Sequence, residues 1–215
     1  GTTRGVTTLN DAKLTIDTGV TIKASDNSDS RALQVQGSSD VTINGATIES
    51  GVYGIVAFGS STVTISSGTV TAPTIGIQNS STGTVTIAGG SIGNTNSPDF
   101  GILNNQTGTV TISGGEVNGS SCGISNTSTG KVTVSSGSVT GGSNGIANES
   151  SGTVEVAGGI VTGKSKGIVA MGNGTVKVSS GEVKGTSTEA GEGIAIHNQT
   201  SGNTIDIDGV SAGLV

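Results

Sequence analysis

Hydrophobic and polar positions along this chain follow a repeat of about 22 residues. The clearest copies are residues 63–84, 110–131, 132–153 and 154–175. Each copy contains a short β-branched segment, a Gly, a second short segment, a turn, and then Gly-Ile followed by a polar turn. A repeat of this length predicts a solenoid, in which each coil buries its apolar side chains only by stacking on its neighbours.

Alignment of the copies divides each repeat into three strands. The first strand supplies two alternating aliphatic residues, such as Val132 and Val134, whose spacing puts both side chains on one face. A Gly at a nearly fixed offset, such as Gly137, marks a corner that needs positive φ or close backbone approach. The second strand adds one Val or Ile, and the third adds an Ile directly after a Gly. The pattern predicts an all-β parallel solenoid of eight or nine coils with three short strands each.

One inward position of the third strand is polar in successive coils. It lies two residues after the Ile of the Gly-Ile pair, and its members are Asn79, Asn104, Asn126 and Asn148. Buried amides cost free energy unless they are hydrogen-bonded, and stacked amides can bond along the axis and to turn backbone. We therefore predict a structural Asn ladder. The alternative is a ligand site made by the row of amides.

The uninterrupted period predicts a single domain over residues 1–215. Residues 1–13 are expected to be a lead-in, residues 14–210 the coils, and residues 211–215 the C-terminal end of a fragment. Structured-looking repeats begin almost at once, without a signal peptide. We therefore expect other domains of a longer, secreted chain to accompany this one.

Composition narrows the range of functions. The chain has a net charge of −6 and only nine Lys and Arg residues, so we do not expect the basic face that nucleic-acid binding requires. The sequence contains no stretch of about 18 apolar residues, so we do not expect it to insert into a membrane. Cys122 has no second cysteine to pair with and is expected to be a small buried residue. The sequence predicts no cofactor and no metal site.

Runs of the type GTVTISGG at residues 83–90 and 108–115, together with the Gly-Ile turns and the Asn row, carry a family resemblance. Over about residues 12–210 the chain resembles right-handed parallel β-helix proteins of the pectin-lyase-like architecture. It is most similar to the Gly-, Thr- and Val-rich repeat regions of bacterial cell-surface proteins and adhesins. The resemblance implies a right-handed coil and an extracellular or cell-surface location, with anchoring through regions outside this sequence. It implies no single activity, because that architecture includes lyases, hydrolases, phage spikes and passive stalks.

Three coils are longer than the rest, and their extra residues fall at one corner, between the second strand and the Gly-Ile turn. The insertions are residues 23–31, 93–100 and 184–192. Insertions at one corner of a solenoid line one edge, which is often the binding edge. We predict a ligand-binding edge formed by Lys23, Asp26, Asp29, Arg31, Asp99, Phe100, Lys166, Lys184, Glu189 and Glu192. The alternative is that these turns only tolerate insertions and solvated charges.

Catalytic groups are sparse. Glu155 and Lys177 are outward neighbours one coil apart, which favours a cross-strand ion pair over an acid–base pair. Asp206 and Asp208 are too few for a calcium cage. His197 lies in a turn region without an evident nucleophile. The residues therefore predict a protein that is not an enzyme.

We interpret the sequence as a non-catalytic bacterial cell-surface or secreted adhesin or stalk, with weak carbohydrate binding along the loop-bearing edge. Its expected partners are host or cell-wall glycans or surface proteins. The alternative is a polysaccharide lyase or glycoside hydrolase that uses the insertions at residues 23–31 and 184–192. A minor alternative is ice binding, indicated by Thr-x-Thr rows that begin at Thr62, Thr84 and Thr109.

Overall fold

The computed structural model of the chain describes residues 3–25, 28–93 and 99–208. Within these residues the chain forms strands and no helix. The strands are β1 Arg4–Thr8, β2 Lys13–Asp17, β3 Thr21–Ala24, β4 Arg31–Val35, β5 Asp40–Ser50, β6 Tyr53–Gly59, β7 Thr62–Thr71, β8 Ile75–Ser81, β9 Thr84–Ile87, β10 Ser91–Ile92, β11 Phe100–Asn104, β12 Thr109–Gly119, β13 Cys122–Asn126, β14 Lys131–Gly141, β15 Asn144–Asn148, β16 Thr153–Gly163, β17 Lys166–Ala170, β18 Thr175–Gly185, β19 Ile194–Asn198 and β20 Thr204–Ile207.

The strands form two parallel sheets along a solenoid of about seven turns of about 22 residues. Sheet A has the order β1-β4-β6-β8-β11-β13-β15-β17-β19. Sheet B has the order β2-β5-β7-β10-β12-β14-β16-β18-β20, with β3 on β5 and β9 between β7 and β12. The all-β solenoid is confirmed, with slightly fewer turns than the eight or nine expected. The right-handed sense of the coil stays a prediction.

The first and second strands of a coil are joined into one long strand through most of the rod. Strands β12, β14, β16 and β18 each run for 11 residues through the Gly corner. At that corner Gly137 has a φ of 75°, which a residue without Cβ reaches at little cost. The pairing of β12 with β14 shifts register there. Because a bulge bends a strand without ending its pairing, two of the three predicted strands become one.

The core is a stack of inward aliphatic side chains, four from each turn. In one middle turn Val132, Val134, Val139 and Ile146 have no exposed surface. Parallel register places like side chains over like, as where Ile146 pairs with Ile168. Burial of each aliphatic side chain contributes about 1.5–3 kcal/mol. This repetition explains how a chain with only two Phe, one Tyr and no Trp sustains a continuous core.

Residues 4–8, expected to belong to a lead-in, instead form strand β1. Val6 pairs with Leu33 and Thr8 with Val35, so this segment extends sheet A by one strand. Thr8 is buried and Val6 is half-buried. The alternation of residues 4–8 therefore meets the same inward ladder as the later strands.

The last turn departs from the repeat by two residues. By the Gly-Ile pattern Ile194 would belong to the column of Ile168, but Ile194 pairs with Lys166 and Ile196 takes the core position beside Ile168. Gly193 has a φ of 72° and belongs to the loop rather than to the strand. Consequently Asn198, and not Ile196, continues the position of the Asn ladder.

Candidate functional site

The longer connections of the solenoid lie at one corner, between the ends of the second-strand segments in sheet B and the starts of the strands of sheet A. They join β3 to β4, β10 to β11 and β18 to β19, as the repeat alignment predicts. We call this edge the loop corner. Asp26, one of the residues predicted to bind at it, lies outside the described residues.

At the N-terminal end of the loop corner, an ion pair borders an open groove. Lys23 Nζ lies 2.6 Å from Glu49 Oε2, its neighbour one turn along. The groove has a volume of about 630 Å³ and is lined by Lys23, Ala24, Ser25, Glu49, Ser50 and Thr71. This volume is within the range of small-molecule sites, about 300–1,000 Å³. Its lining offers an ammonium, a carboxylate and hydroxyl groups to a polar ligand.

Arg31, the first residue of β4, is the centre of a second group at the N-terminal end of the rod. Its Nη2 donates to Asp29 Oδ1 at 2.8 Å, and its Nη1 donates to Gln34 Oε1 at 2.8 Å. Its Cζ lies 6.0 Å from the ring centroid of Tyr53 and 5.7 Å from that of Phe58. Only 19% of the Arg31 side chain is exposed. A guanidinium between two rings is held by cation–π attraction as well as by hydrogen bonds.

Phe100 belongs to the middle of the rod. It pairs in register with Ile75 on one side and Cys122 on the other. It packs against a small cluster separate from the main core, formed by Cys122, Ala147 and Val169. Burial raises the pKa of the Cys122 thiol above its usual value. Phe100 therefore acts as a packing residue in this structure.

Asp99 lies next to Phe100 and contributes backbone rather than a charged contact. Its carbonyl accepts hydrogen bonds from the backbone N–H groups of Ser121 at 3.1 Å and Cys122 at 3.0 Å. These bonds tie the middle expanded connection to the following turn.

The remaining predicted edge residues lie at the C-terminal end of the rod. Lys166 Nζ donates to Ser165 Oγ at 2.9 Å, and Lys184 Nζ lies 3.2 Å from Glu182 Oε1. Glu189 and Glu192 are exposed and are joined by a backbone hydrogen bond of 3.0 Å. With strands spaced by about 4.8 Å, the seven strand-to-strand steps from Lys23 to Lys184 span about 34 Å. The predicted residues therefore form separate groups along one edge and cannot act together on a small ligand.

The Asn row is a buried chain of side-chain amides. Asn79 Nδ2 donates to Asn104 Oδ1 at 2.9 Å, Asn104 Nδ2 to Asn126 Oδ1 at 2.8 Å, and Asn126 Nδ2 to Asn148 Oδ1 at 2.9 Å. Asn104, Asn126 and Asn148 also donate to the carbonyl four residues ahead, at 2.8–3.0 Å. All four side chains have no exposed surface. Their hydrogen bonds run within the protein, which is what a structural ladder requires.

A column of alternating charges runs along the C-terminal half of sheet B. The expected pair of Glu155 with Lys177 is not the close one: Glu155 Oε2 lies 2.8 Å from Lys131 Nζ. Lys177 Nζ lies 3.7 Å from carboxylate oxygens of Asp206 and Asp208. The hydrogen bond and charge of Lys131, with a further contribution from Lys177, hold the pKa of Glu155 below its usual value. These charges therefore form ion pairs on the surface of sheet B.

Sequence reasoning missed several residues that the structure brings to the N-terminal end. Arg4 was placed in a lead-in, yet its Nε donates to Gln34 Oε1 at 2.6 Å. Phe58 and Glu49 were not singled out. The alternation of β6 could have placed Phe58 on the outer face, because Ile55 and Ala57 face inward, but Tyr53 shares their parity and alternation does not bring it beside Phe58.

Among residues 3–25, 28–93 and 99–208, no three His, Cys, Asp or Glu side chains come together as a possible metal site. No helix in this part of the chain could cross a membrane. No family model, curated protein or solved structure matches the chain.

Proposed function

We propose that the chain is a non-catalytic rod of a bacterial cell-surface or secreted protein, an adhesin or stalk of pectin-lyase-like type that binds carbohydrate weakly at its loop corner. The observation that carries this proposal is the groove between Lys23 and Thr71, which lies where the longest turns lie. Its hydroxyl, ammonium and carboxylate groups can exchange hydrogen bonds with sugar hydroxyls.

The ladders support a scaffold role. Aliphatic residues and the Asn ladder form one continuous core along the rod, and the expanded turns are added outside that core. Function can therefore vary at the corner while the fold is preserved, as is usual for loops placed on a rigid framework. The open groove, with its exposed Lys23–Glu49 pair, fits weak binding better than deep enclosure.

The proposal is tested by a glycan array and a depolymerisation assay on the same purified chain. We expect binding without shortening of any polysaccharide. Lys23→Ala should weaken binding about three- to tenfold, the usual effect of losing one solvent-exposed hydrogen bond. Lys131→Ala is the matched control, because Lys131 also forms an exposed ion pair but lies away from the loop corner.

The enzyme alternative predicts that a polysaccharide is shortened. Cleavage of a polysaccharide that is lost in Glu155→Gln or Asp206→Asn would overturn the non-catalytic proposal. Equal binding by wild type and Lys23→Ala would show that the groove is not the site.

A second candidate function, binding to ice, is favoured by one observation. Six threonines pair in register along the outer face of sheet B. They are Thr15, Thr42, Thr64, Thr86, Thr111 and Thr133. The same column continues as Glu155, Lys177 and Asp206, whose charges break a uniform array. Thermal hysteresis that is present in wild type and lost in Thr86→Lys would establish this function, and its absence in wild type would exclude it.

A further inference from the structure

The only two arginines of the chain are direct neighbours. Arg4 in β1 pairs in register with Arg31 in β4. Like charges opposite each other on adjacent strands are destabilising. The chain as a whole has a net charge of −6, so this concentration of positive charge runs against its general character.

Both guanidinium groups converge on a single oxygen. Arg4 Nε and Arg31 Nη1 donate to Gln34 Oε1 at 2.6 Å and 2.8 Å. Gln34 is only 3% exposed and uncharged, so it orients the two groups without neutralising them. Asp29 supplies one carboxylate, at 2.8 Å from Arg31 Nη2. Among the residues that the structure describes, two guanidinium groups and one carboxylate leave this group with an excess of positive charge, and Arg4 is exposed to solvent.

Aromatic rings lie against the same group. Tyr53 and Phe58 are two of the three aromatic residues of the chain, and both pack on Arg31. Tyr53 follows Arg31 in the same column, one strand further along sheet A, and is half-buried. A planar donor for an anion and a partly exposed ring are therefore adjacent on one surface.

We propose that Arg4, Arg31 and Tyr53 bind an acidic saccharide. Its carboxylate or sulfate group accepts hydrogen bonds from the two guanidinium groups, whose planar donor arrangement matches such oxyanions. Its sugar ring lies against Tyr53, since aromatic side chains commonly line ligand sites. This inference rests on the proposed carbohydrate binding and specifies the chemical class of the sugar.

The test is calorimetric titration of the whole chain with four probes. These are a uronic-acid oligosaccharide, its neutral methyl ester, a sulfated oligosaccharide and inorganic sulfate. We expect at least one acidic oligosaccharide to bind about tenfold or more tightly than the ester, because a hydrogen bond to a charged group contributes on that scale. Added salt should weaken this binding.

Variants locate the site. Arg4→Gln, an exposed change, should lower affinity for the acidic sugar about tenfold and leave the ester unaffected. Arg4→Lys should restore part of the affinity, since it keeps the charge but not the planar donor pair. Tyr53→Leu should weaken the binding of the oligosaccharide but not the binding of inorganic sulfate. Lys13→Gln is the control, because Lys13 is an exposed cation at the same end of the rod and should change affinity less than about twofold.

The outcomes separate this inference from the proposed function. If Lys23→Ala weakens sugar binding while Arg4→Gln does not, and the ester binds as well as the acid, the acidic site is overturned and carbohydrate binding stands. If inorganic sulfate competes fully and Tyr53→Leu changes nothing, the site binds simple anions and the saccharide assignment is wrong. If wild type binds no sugar at all, both proposals fail.

Discussion

The middle turns of the rod and its N-terminal turns share one backbone but place their polar side chains on opposite sides. In the middle turns Asn104 and Asn126 are buried within the coil and bond to each other. In the N-terminal turns Val35 and Ala57 take the equivalent positions, and the polar group forms outside, around Arg31. The core can therefore be kept by either arrangement, while only the outside arrangement is accessible to a ligand.

The residue four positions after the Asn ladder position changes together with the ladder residue. Gly130 and Gly152 lie four residues after the ladder residues Asn126 and Asn148, directly before the next strand of sheet B. Ser61 has the corresponding place after Ala57. A Cβ at Gly130 would meet Asn104 Nδ2 of the preceding turn. The buried Asn side chain therefore requires a Gly at this position, because its amide occupies space that a Cβ would fill.

The largest expected effect is the loss of a ladder amide. Asn126→Ala removes the acceptor for Asn104 Nδ2 and the donor to Asn148 Oδ1, and it leaves a cavity. We expect the free energy of unfolding to fall by about 3 kcal/mol, measured by urea denaturation. Thr127→Ala, an exposed change next to it, should cost less than about 0.5 kcal/mol. Equal small losses in both would mean that the ladder contributes little.

The next effect tests the coupling of amide and Gly. Gly130→Ser should lower the free energy of unfolding by about 2 kcal/mol, because its side chain overlaps Asn104 Nδ2 and the carbonyl oxygens of Gly108 and Gln106. In the Asn104→Ala background the same change should cost less, since one of the three overlaps is then removed while those with the carbonyl oxygens of Gly108 and Gln106 remain. A double-mutant cycle should give an interaction of about 1 kcal/mol or more. Strict additivity would contradict the pairing of the two positions.

A smaller loss of stability is expected when a cation of either region is removed. Arg31→Ala removes two hydrogen bonds and the packing against Tyr53 and Phe58, so we expect a loss of about 1–3 kcal/mol. Lys131→Ala removes one surface ion pair and should cost about 0–1 kcal/mol. Thermal melts of both variants measure the difference. A greater loss in Lys131→Ala would reverse the assignment of Arg31 as the structural centre.

The smallest effect is the pH dependence of the charge column. The pKa of Glu155 is lowered in the folded protein, so its ion pair stabilises the fold above the unfolded pKa, near 4.5, and this contribution is lost as pH falls through the folded pKa. We expect wild type to lose up to about 1 kcal/mol more than Glu155→Gln between neutral and strongly acidic pH. Parallel stability curves for the two proteins would show that the pair contributes nothing.

Much of the fold was predictable because the repeat is strict. Val132, Val134 and Val139 recur at a constant offset, and parallel pairing stacks each on its counterpart. The Asn ladder was predictable for the same reason, since its members share the parity of the core. The last turn was not, because Gly191 and Gly193 offer two starts for one strand and only pairing with β17 selects between them.

The candidate site was predictable only as a region. Loop length identified the corner, but solvated charges carry no periodic signal that says which of them meet. Glu49 and Lys23 belong to different turns, and their ion pair follows from the register of β3 on β5.

The repeat pattern alone predicts the solenoid, the corner that carries the long turns and the inward row of amides, because each is a periodic pattern that local spacing expresses. Three features follow only from the folded coil: Arg4 joins the outermost strand, Arg31 lies near both Tyr53 and Phe58, and Lys23 borders a groove. Those contacts join residues from different turns. They depend on the register of strands far apart in the chain, which no single stretch of sequence encodes.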